Sequence, residues 1–469
     1  MANNMISALG KIFTDLFIKY MPSAYVFALL LTLVTGFAAL LWTDASLMGV
    51  LEGWYGGFWS LLAFGMQIIL VIVTAASIAQ SETVEKGINW ITRYIKTPGQ
   101  VYLFVLVSGA LMALISFGMV VIVAILAREL AARVKGLNYP FLIACVYFGM
   151  GSWVAGASSS IALLLNTENN FLIEAGILSE LIPTSFTLGS SLNILMILLF
   201  VVLGPLLFLI LIPKDNKKKE LSDLLVLDNL PKESSVKEEA DTYKLPFRAI
   251  SDLLNNSGFL QIAIAIFGFI YIGHYFYLNG FNLNFNIIIF IFLILGLFLH
   301  KTPLRYSISM KRSSSNISGI LFQYPFYAGI MGIMLSTGLG AKIADLQVSI
   351  ATLTNYPFLA YVSGGLVNFA IPSAGGEFAV IGPGIINVVK ELGTGLSETE
   401  VTSMIARASM AIAYGESLSN ALQPFYLLII FPVMASGTKL QARDVMGYFV
   451  IPFILFFIVQ SALLVWMPL

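Results

Sequence analysis

The segment Asn368-Phe-Ala-Ile-Pro-Ser-Ala-Gly-Gly-Glu377 sets an amide, a hydroxyl, paired glycines and a carboxylic acid inside an otherwise apolar stretch. Glycine lets backbone approach a ligand closely, and Pro372 cannot continue a helical ladder. Backbone groups freed by such a break find no partner in lipid, so the break persists at membrane depth only where it is buried in protein or lines a wet cavity. A half-helix beginning there offers unpaired N–H groups and the positive end of its dipole to an anion such as a carboxylate. Serine and asparagine oxygens with unwound carbonyls suit a hard cation such as Na⁺. Joint binding of an anion and a cation points to a transporter.

Three other breaks share this character: Ser116-Phe-Gly118, the run from Gly149 to Ser160, and the run from Ala413 to Pro424. The candidate substrate or ion contacts are Ser116, Gly118, Ser152, Gly156, Ser158, Ser159, Ser160, Asn368, Ser373, Gly375, Gly376, Glu377, Gly415, Glu416, Ser417 and Asn420. Asn368, Ser373, Glu416 and Asn420 form a candidate Na⁺ set. An acid at mid-helix costs roughly 3 kcal/mol on translocon scales, which makes Glu377 and Glu416 functional candidates. The competing explanation is structural pairing, for instance with Arg407, itself either an interfacial snorkelling residue or a substrate-facing one. For Ser158 to Ser160 the alternative is close small-residue packing between helices. Gln67 reads as a helix–helix hydrogen bond.

These breaks must be carried by membrane spans. The chain has 469 residues, 58% hydrophobic and 11% charged, with mean hydropathy +0.89, more apolar residue than a soluble core can bury. Zero net charge without a basic stripe argues against nucleic acid as a partner. Cys145 alone excludes an internal disulfide, and His274 and His300 leave little for a metal site or haem. With no nucleophile beside a base, a membrane-embedded enzyme is disfavoured, and no cofactor is expected.

A bilayer core needs about 20 apolar residues per helix. Candidate spans are 24–43, 58–80, 140–165, 184–212, 257–276, 284–300, 317–337, 402–434 and 445–467. Residues 1–23, with Lys11 and Lys19 among spaced apolar residues, read as an amphipathic surface helix. Lys and Arg mark cytoplasmic loops. The N-terminus is then inside, loop 44–57 outside, and the basic segments on both sides of 101–127 inside. Segments 338–356 and 389–401, flanking 357–388, both belong outside. Stretches 101–127 and 357–388 therefore read as re-entrant hairpins dipping from opposite faces, and the C-terminus falls outside.

Val107-Ser-Gly-Ala-Leu111 recurs as Val362-Ser-Gly-Gly-Leu366, about 255 residues later, and Phe64 and Phe322 open equivalent spans at a similar offset. The expected architecture is an all-α polytopic membrane protein of two inverted-topology repeats with re-entrant hairpins and broken transmembrane helices. The first repeat is 24–212. A charged linker, 213–256, separates it from an extra span plus the second repeat, 257–469. The linker reads as cytoplasmic, with a short amphipathic helix from Leu221 to Leu230.

Phe58-Trp-Ser-Leu-Leu-Ala-Phe-Gly-Met-Gln67, Leu142-Ile-Ala-Cys145, Leu299-His-Lys-Thr-Pro303, Phe326-Tyr-Ala-Gly-Ile330, Asn368-Phe-Ala-Ile-Pro-Ser373 and Ala411-Ile-Ala-Tyr-Gly-Glu416 resemble the short-chain fatty acid transporter family. Its best-known member takes up acetoacetate in enteric bacteria. The family is similar to the ion transporter superfamily, whose related members are homodimers carrying carboxylates with Na⁺ or H⁺ and moving a transport domain against a scaffold, an elevator-type motion. The resemblance implies a symporter of short-chain monocarboxylates such as butyrate in a bacterial inner membrane, with H⁺ or Na⁺ as coupling ion. In the family a His-Trp pair often follows the double glycine, where this chain has Glu377-Phe378. That extra acid would repel an anion unless it is protonated or holds a cation. It raises the alternative of a dicarboxylate or amino-acid exchanger.

Overall fold

The computed structural model describes residues 19–468 apart from 21, 60–61, 92, 116, 158, 167–169, 175, 214–218, 227–234, 244–248, 281–284, 315–316, 349 and 373. The described chain is helical, and its sole β feature is an isolated bridge between Leu225 and Thr438. Six helical stretches are long and apolar enough to cross a bilayer: Tyr25–Trp42, Pro98–Ile115, Tyr139–Leu165, Ser191–Leu211, Ile250–Asn279 and Arg443–Trp466. A seventh arises if Glu398–Leu422 and Leu427–Met434, bent by 45° at their junction, count as one span. Within Tyr25–Trp42 and Ile250–Asn279 only 17% of the apolar window is buried, so Leu33, Phe37, Phe267 and Ile270 face outward. Apolar surface of that extent needs lipid rather than water around it. The chain is a polytopic, all-helical membrane protein.

The stretches 101–127 and 357–388 both double back. A Cβ placed on Gly109 of Pro98–Ile115 would lie 3.8 Å from Val123 of Val120–Arg133. On one straight helix those residues would stand about 21 Å apart. In the second stretch Tyr356–Val367 runs parallel to Glu398–Ser419, since Gly364 meets Ile412, Gly365 meets Gly415 and Asn368 meets Ser419. Ala374–Leu392 runs back against Glu398–Ser419 with Glu377 beside Glu416, so its direction opposes that of Tyr356–Val367. The first half repeats the parallel contact, with Gly149 against Leu106 and Ala110, and Gly156 against Leu114. In both halves glycine lets the hairpin's first arm lie backbone to backbone with a broken span.

Several connections expected as loops are helices. Residues 44–57 contain Leu47–Gly57, capped by Ser46 Oγ accepting from Gly49 N, and 338–356 contain Leu339–Val348. Leu47–Gly57 packs through its glycines, a Cβ at Gly57 falling 2.7 Å from Gly332 Cα. Gly49, Gly53, Gly56 and Gly57 each lower the helix propensity of this segment by about 1 kcal/mol, so packing rather than propensity holds the helix. The span expected at 184–212 starts only at Ser191 and carries a π-helical turn, Leu199–Leu203, before Gly204-Pro205.

The surface helix expected at 1–23 lies almost wholly outside the described residues. In the linker, Leu221–Leu224 forms one turn, and Val236–Thr242 and Ile250–Asn255 follow. The linker is docked on the helical body: Tyr139 N donates to Lys219 O at 2.8 Å and Val226 N to Gly437 O at 3.0 Å.

Candidate functional site

The site is built where both hairpin tips meet both broken spans. Asn368, ending the first arm of the second hairpin, donates from Nδ2 to Glu416 O (3.1 Å), Ser419 Oγ (2.7 Å) and Asn420 Oδ1 (2.8 Å). Gln423 Nε2 reaches back to Asn368 O and Asn420 Oδ1, each at 3.1 Å. Tyr147 OH donates to Asn420 O at 2.7 Å, and Tyr426 OH to Pro372 O at 3.1 Å. From the first hairpin, Phe117 stands edge-on to Trp153 and Tyr426, ring centroids 5.4 and 5.2 Å away. Ser417 Oγ donates to Gly151 O, joining the two broken spans.

Two acids sit inside this cluster. Glu377, in the first turn of Ala374–Leu392, and Glu416 are both wholly buried, close enough to interact electrostatically, and both lie near Tyr426. Neither carboxyl has a hydrogen-bond donor or cation among the described residues. The helix dipole favours a charge at Glu377 by at most about 2 kcal/mol, whereas burying an ion costs several kcal/mol. Two ionised carboxylates side by side there are untenable without a proton or cation. Asn368 Oδ1 and Gln423 Oε1 also lack donors among the described residues, which leaves two amide oxygens unpartnered in the same network. A cavity of about 20 Å³ between Tyr147, Gly151, Trp153, Ser417, Asn420 and Tyr426 has room for about one water-sized group.

The other candidates separate into distinct places. Asn420 Oδ1 already accepts from both Asn368 and Gln423, so it orients its neighbours. Ser152 Oγ donates to Ala110 O at 2.7 Å and pins the broken span to the first hairpin, while Gly156 and Gly415 let backbones meet. Gly118 packs on Val71 and Ile288. Ser159 is buried with its hydroxyl unpartnered among the described residues, and Ser160 is exposed at the start of Ser160–Leu165. Gly375 and Gly376 open Ala374–Leu392, and the space beside Gly375 is empty. Ser116, Ser158 and Ser373 lie outside the described residues.

Arg407 pairs with neither acid; its guanidinium donates to Met467 O at 2.6 Å and to Pro468 O. Gln67 Nε2 donates to Asn286 Oδ1 at 2.8 Å, a helix–helix bond. Sequence reasoning missed Gln423, Tyr147 and Tyr426. It also missed Arg128, whose guanidinium takes Val433 O (2.8 Å), Met434 O (2.9 Å) and Ser436 O (2.9 Å) at the end of Leu427–Met434. Lys390 on the second hairpin reaches Ile177 O in the first half. Each hairpin's second arm thus grips the opposite half.

The short chain fatty acid transporter family model matches residues 5–467. The chain belongs to the short-chain fatty acid transporter family. A Haemophilus influenzae protein is 34% identical over 450 residues, covering 95% of this chain and 96% of its own length. An Escherichia coli protein is 36% identical over 447 residues, again 95% and 96% of the two chains. Both bear provisional designations as short-chain fatty acid transporters. The Alcanivorax borkumensis YdaH transporter structure aligns over 96% of this chain and 97% of its own at 16% identity, with a TM-score of 0.41. For a member of a transporter family, the buried acids and helix breaks are candidates for the path of substrate and ion.

Proposed function

We propose that the protein is a symporter of short-chain monocarboxylates, coupled to H⁺ or Na⁺ at Glu416. The observation that carries this is the pair of wholly buried, donor-free carboxyls, Glu377 and Glu416, with the unpartnered oxygens of Asn368 and Gln423 in the network that holds the Glu416 turn. Such a group is stable when protonated or holding a cation, and it expels a second negative charge otherwise. Binding of the coupling ion therefore prepares the site for an anion. The start of Ala374–Leu392, with open space at Gly375, offers backbone N–H groups to the substrate carboxylate. Asn368, Glu416 and Gln423 are the proposed cation ligands, with Ser373 retained from the sequence reading and Asn420 as their orienter.

The cavity between the broken spans is too small for a carboxylic acid, and on this reading the hairpin tips part to load substrate. Repetition of the glycine-lined contact in both halves, with the basic-loop pattern, supports inverted repeats with the N-terminus inside and the C-terminus outside. The hairpins and broken spans would then move as one unit against the remaining helices, in a homodimer as the superfamily resemblance implies. Uptake of labelled butyrate and acetoacetate into proteoliposomes, with pH and Na⁺ gradients imposed separately, tests the assignment. Accumulation driven by one gradient is expected; no uptake of either acid under any gradient would overturn it.

A further inference from the structure

A second, wider cavity is lined by none of the residues around the buried acids and opens among the basic loops. It measures about 590 Å³ and is walled by the linker helix Val236–Thr242, the segment from Ala76 to Lys86, the second arm of the first hairpin, and Leu299 to Arg312. That volume is in the range of small-molecule sites. Six bases line it, Lys86, Arg133, Lys237, Lys301, Arg305 and Arg312, against three acids, Glu82, Glu129 and Glu238.

The acids offset the bases only in part, since pairing removes Arg133 and Arg312 and leaves four bases facing the charges of Glu82 and Glu238. Glu129 is committed to Arg133 at 2.8 Å, and Glu238 accepts from Ser235 N at 2.8 Å in a capping box. Arg312 is held by Glu239, and Val236 and Ala240 pack on Ile308 and Leu304, which fixes the linker helix as a wall. Lys86, Lys237, Lys301 and Arg305 have no ion pair with the described residues. Lys301 also has φ 65°, the sole non-glycine residue with positive φ among those described. It stands just past Phe285–His300, where glycine is the usual choice. Backbone strain of this kind persists where the surroundings enforce it and is a pointer to function.

We propose that this cavity binds a phosphoryl-bearing anion, from a soluble phosphate ester or a phospholipid headgroup, clamped between the linker and the membrane body by Lys86, Lys237, Lys301 and Arg305. Several cations converging on a recess with Ala76, Ala79, Ile125 and Leu299 on its walls suit a multiply charged head on a partly apolar body. The proposal does not depend on which acid is transported.

The test uses the full chain in phosphatidylcholine nanodiscs, titrated calorimetrically with inorganic pyrophosphate, and, in parallel, mass spectrometry of phosphatidylglycerol retained by the purified protein. Pyrophosphate binding, weakened about tenfold by Arg305→Gln, supports the soluble source. Selective retention of phosphatidylglycerol, lost in the same variant, supports the lipid source. Lys301→Gly removes a charge while suiting the backbone, so it should weaken whichever ligand binds without lowering the melting temperature. Absence of both ligands, or binding unchanged in both variants, overturns the proposal.

Discussion

The side-chain amide of Asn368 donates to the backbone carbonyl of Glu416 at 3.1 Å, so the tip of the second hairpin holds the very turn that carries the buried acid. Asn368→Ala removes this bond and those to Ser419 and Asn420. The expected loss is about 1–3 kcal/mol, because buried acceptors are left unpaired. A thermal melt in detergent reads it, and an unchanged midpoint would show that the network does not support the tip.

Gly364→Ala should destabilise the protein by about 1–3 kcal/mol, since its Cβ would run into the Ile412 carbonyl and force two backbones apart. Gly384→Ala, in the same hairpin with open space around it, should be neutral or stabilising by up to about 1 kcal/mol. Melting curves of the two variants side by side make the comparison. Equal effects would argue against a close hairpin–span contact.

Arg128 binds three carbonyls with one guanidinium. Arg128→Lys keeps the charge but cannot reproduce the fork, so a loss of about 1.5–3 kcal/mol is expected, with uptake reduced accordingly. Stability and uptake equal to the parent would show that the charge alone suffices there.

Residues out of place in an apolar stretch were visible in the sequence: Pro372, the Gly375-Gly376 pair, Glu377 and Glu416 each break a pattern that lipid would otherwise impose. What positions them was not. Arg128, Tyr147 and Gln423 act on backbone carbonyls, and for Arg128 and Tyr147 those carbonyls are hundreds of residues away. A side chain that bonds to backbone leaves no complementary residue type to find. Nor did the sequence disclose that Glu377 comes within electrostatic range of Glu416, because that proximity is set by how the second arm of the hairpin packs against the broken span. The helix Leu47–Gly57 was hidden by its own glycines, which serve packing against Gly332 rather than flexibility.

Glu377→Gln together with Glu416→Gln should raise thermal stability by about 1–3 kcal/mol, because two donor-free buried carboxyls are replaced by neutral amides of the same size. A fall in stability would mean that the acids are held by pairing.

Gradient-driven uptake by Glu416→Gln in proteoliposomes bears most directly on ion coupling at the buried acid. The folded variant should show no accumulation of butyrate above equilibrium under either a pH or a Na⁺ gradient. Accumulation with the same gradient dependence as the parent protein would contradict a coupling role for Glu416.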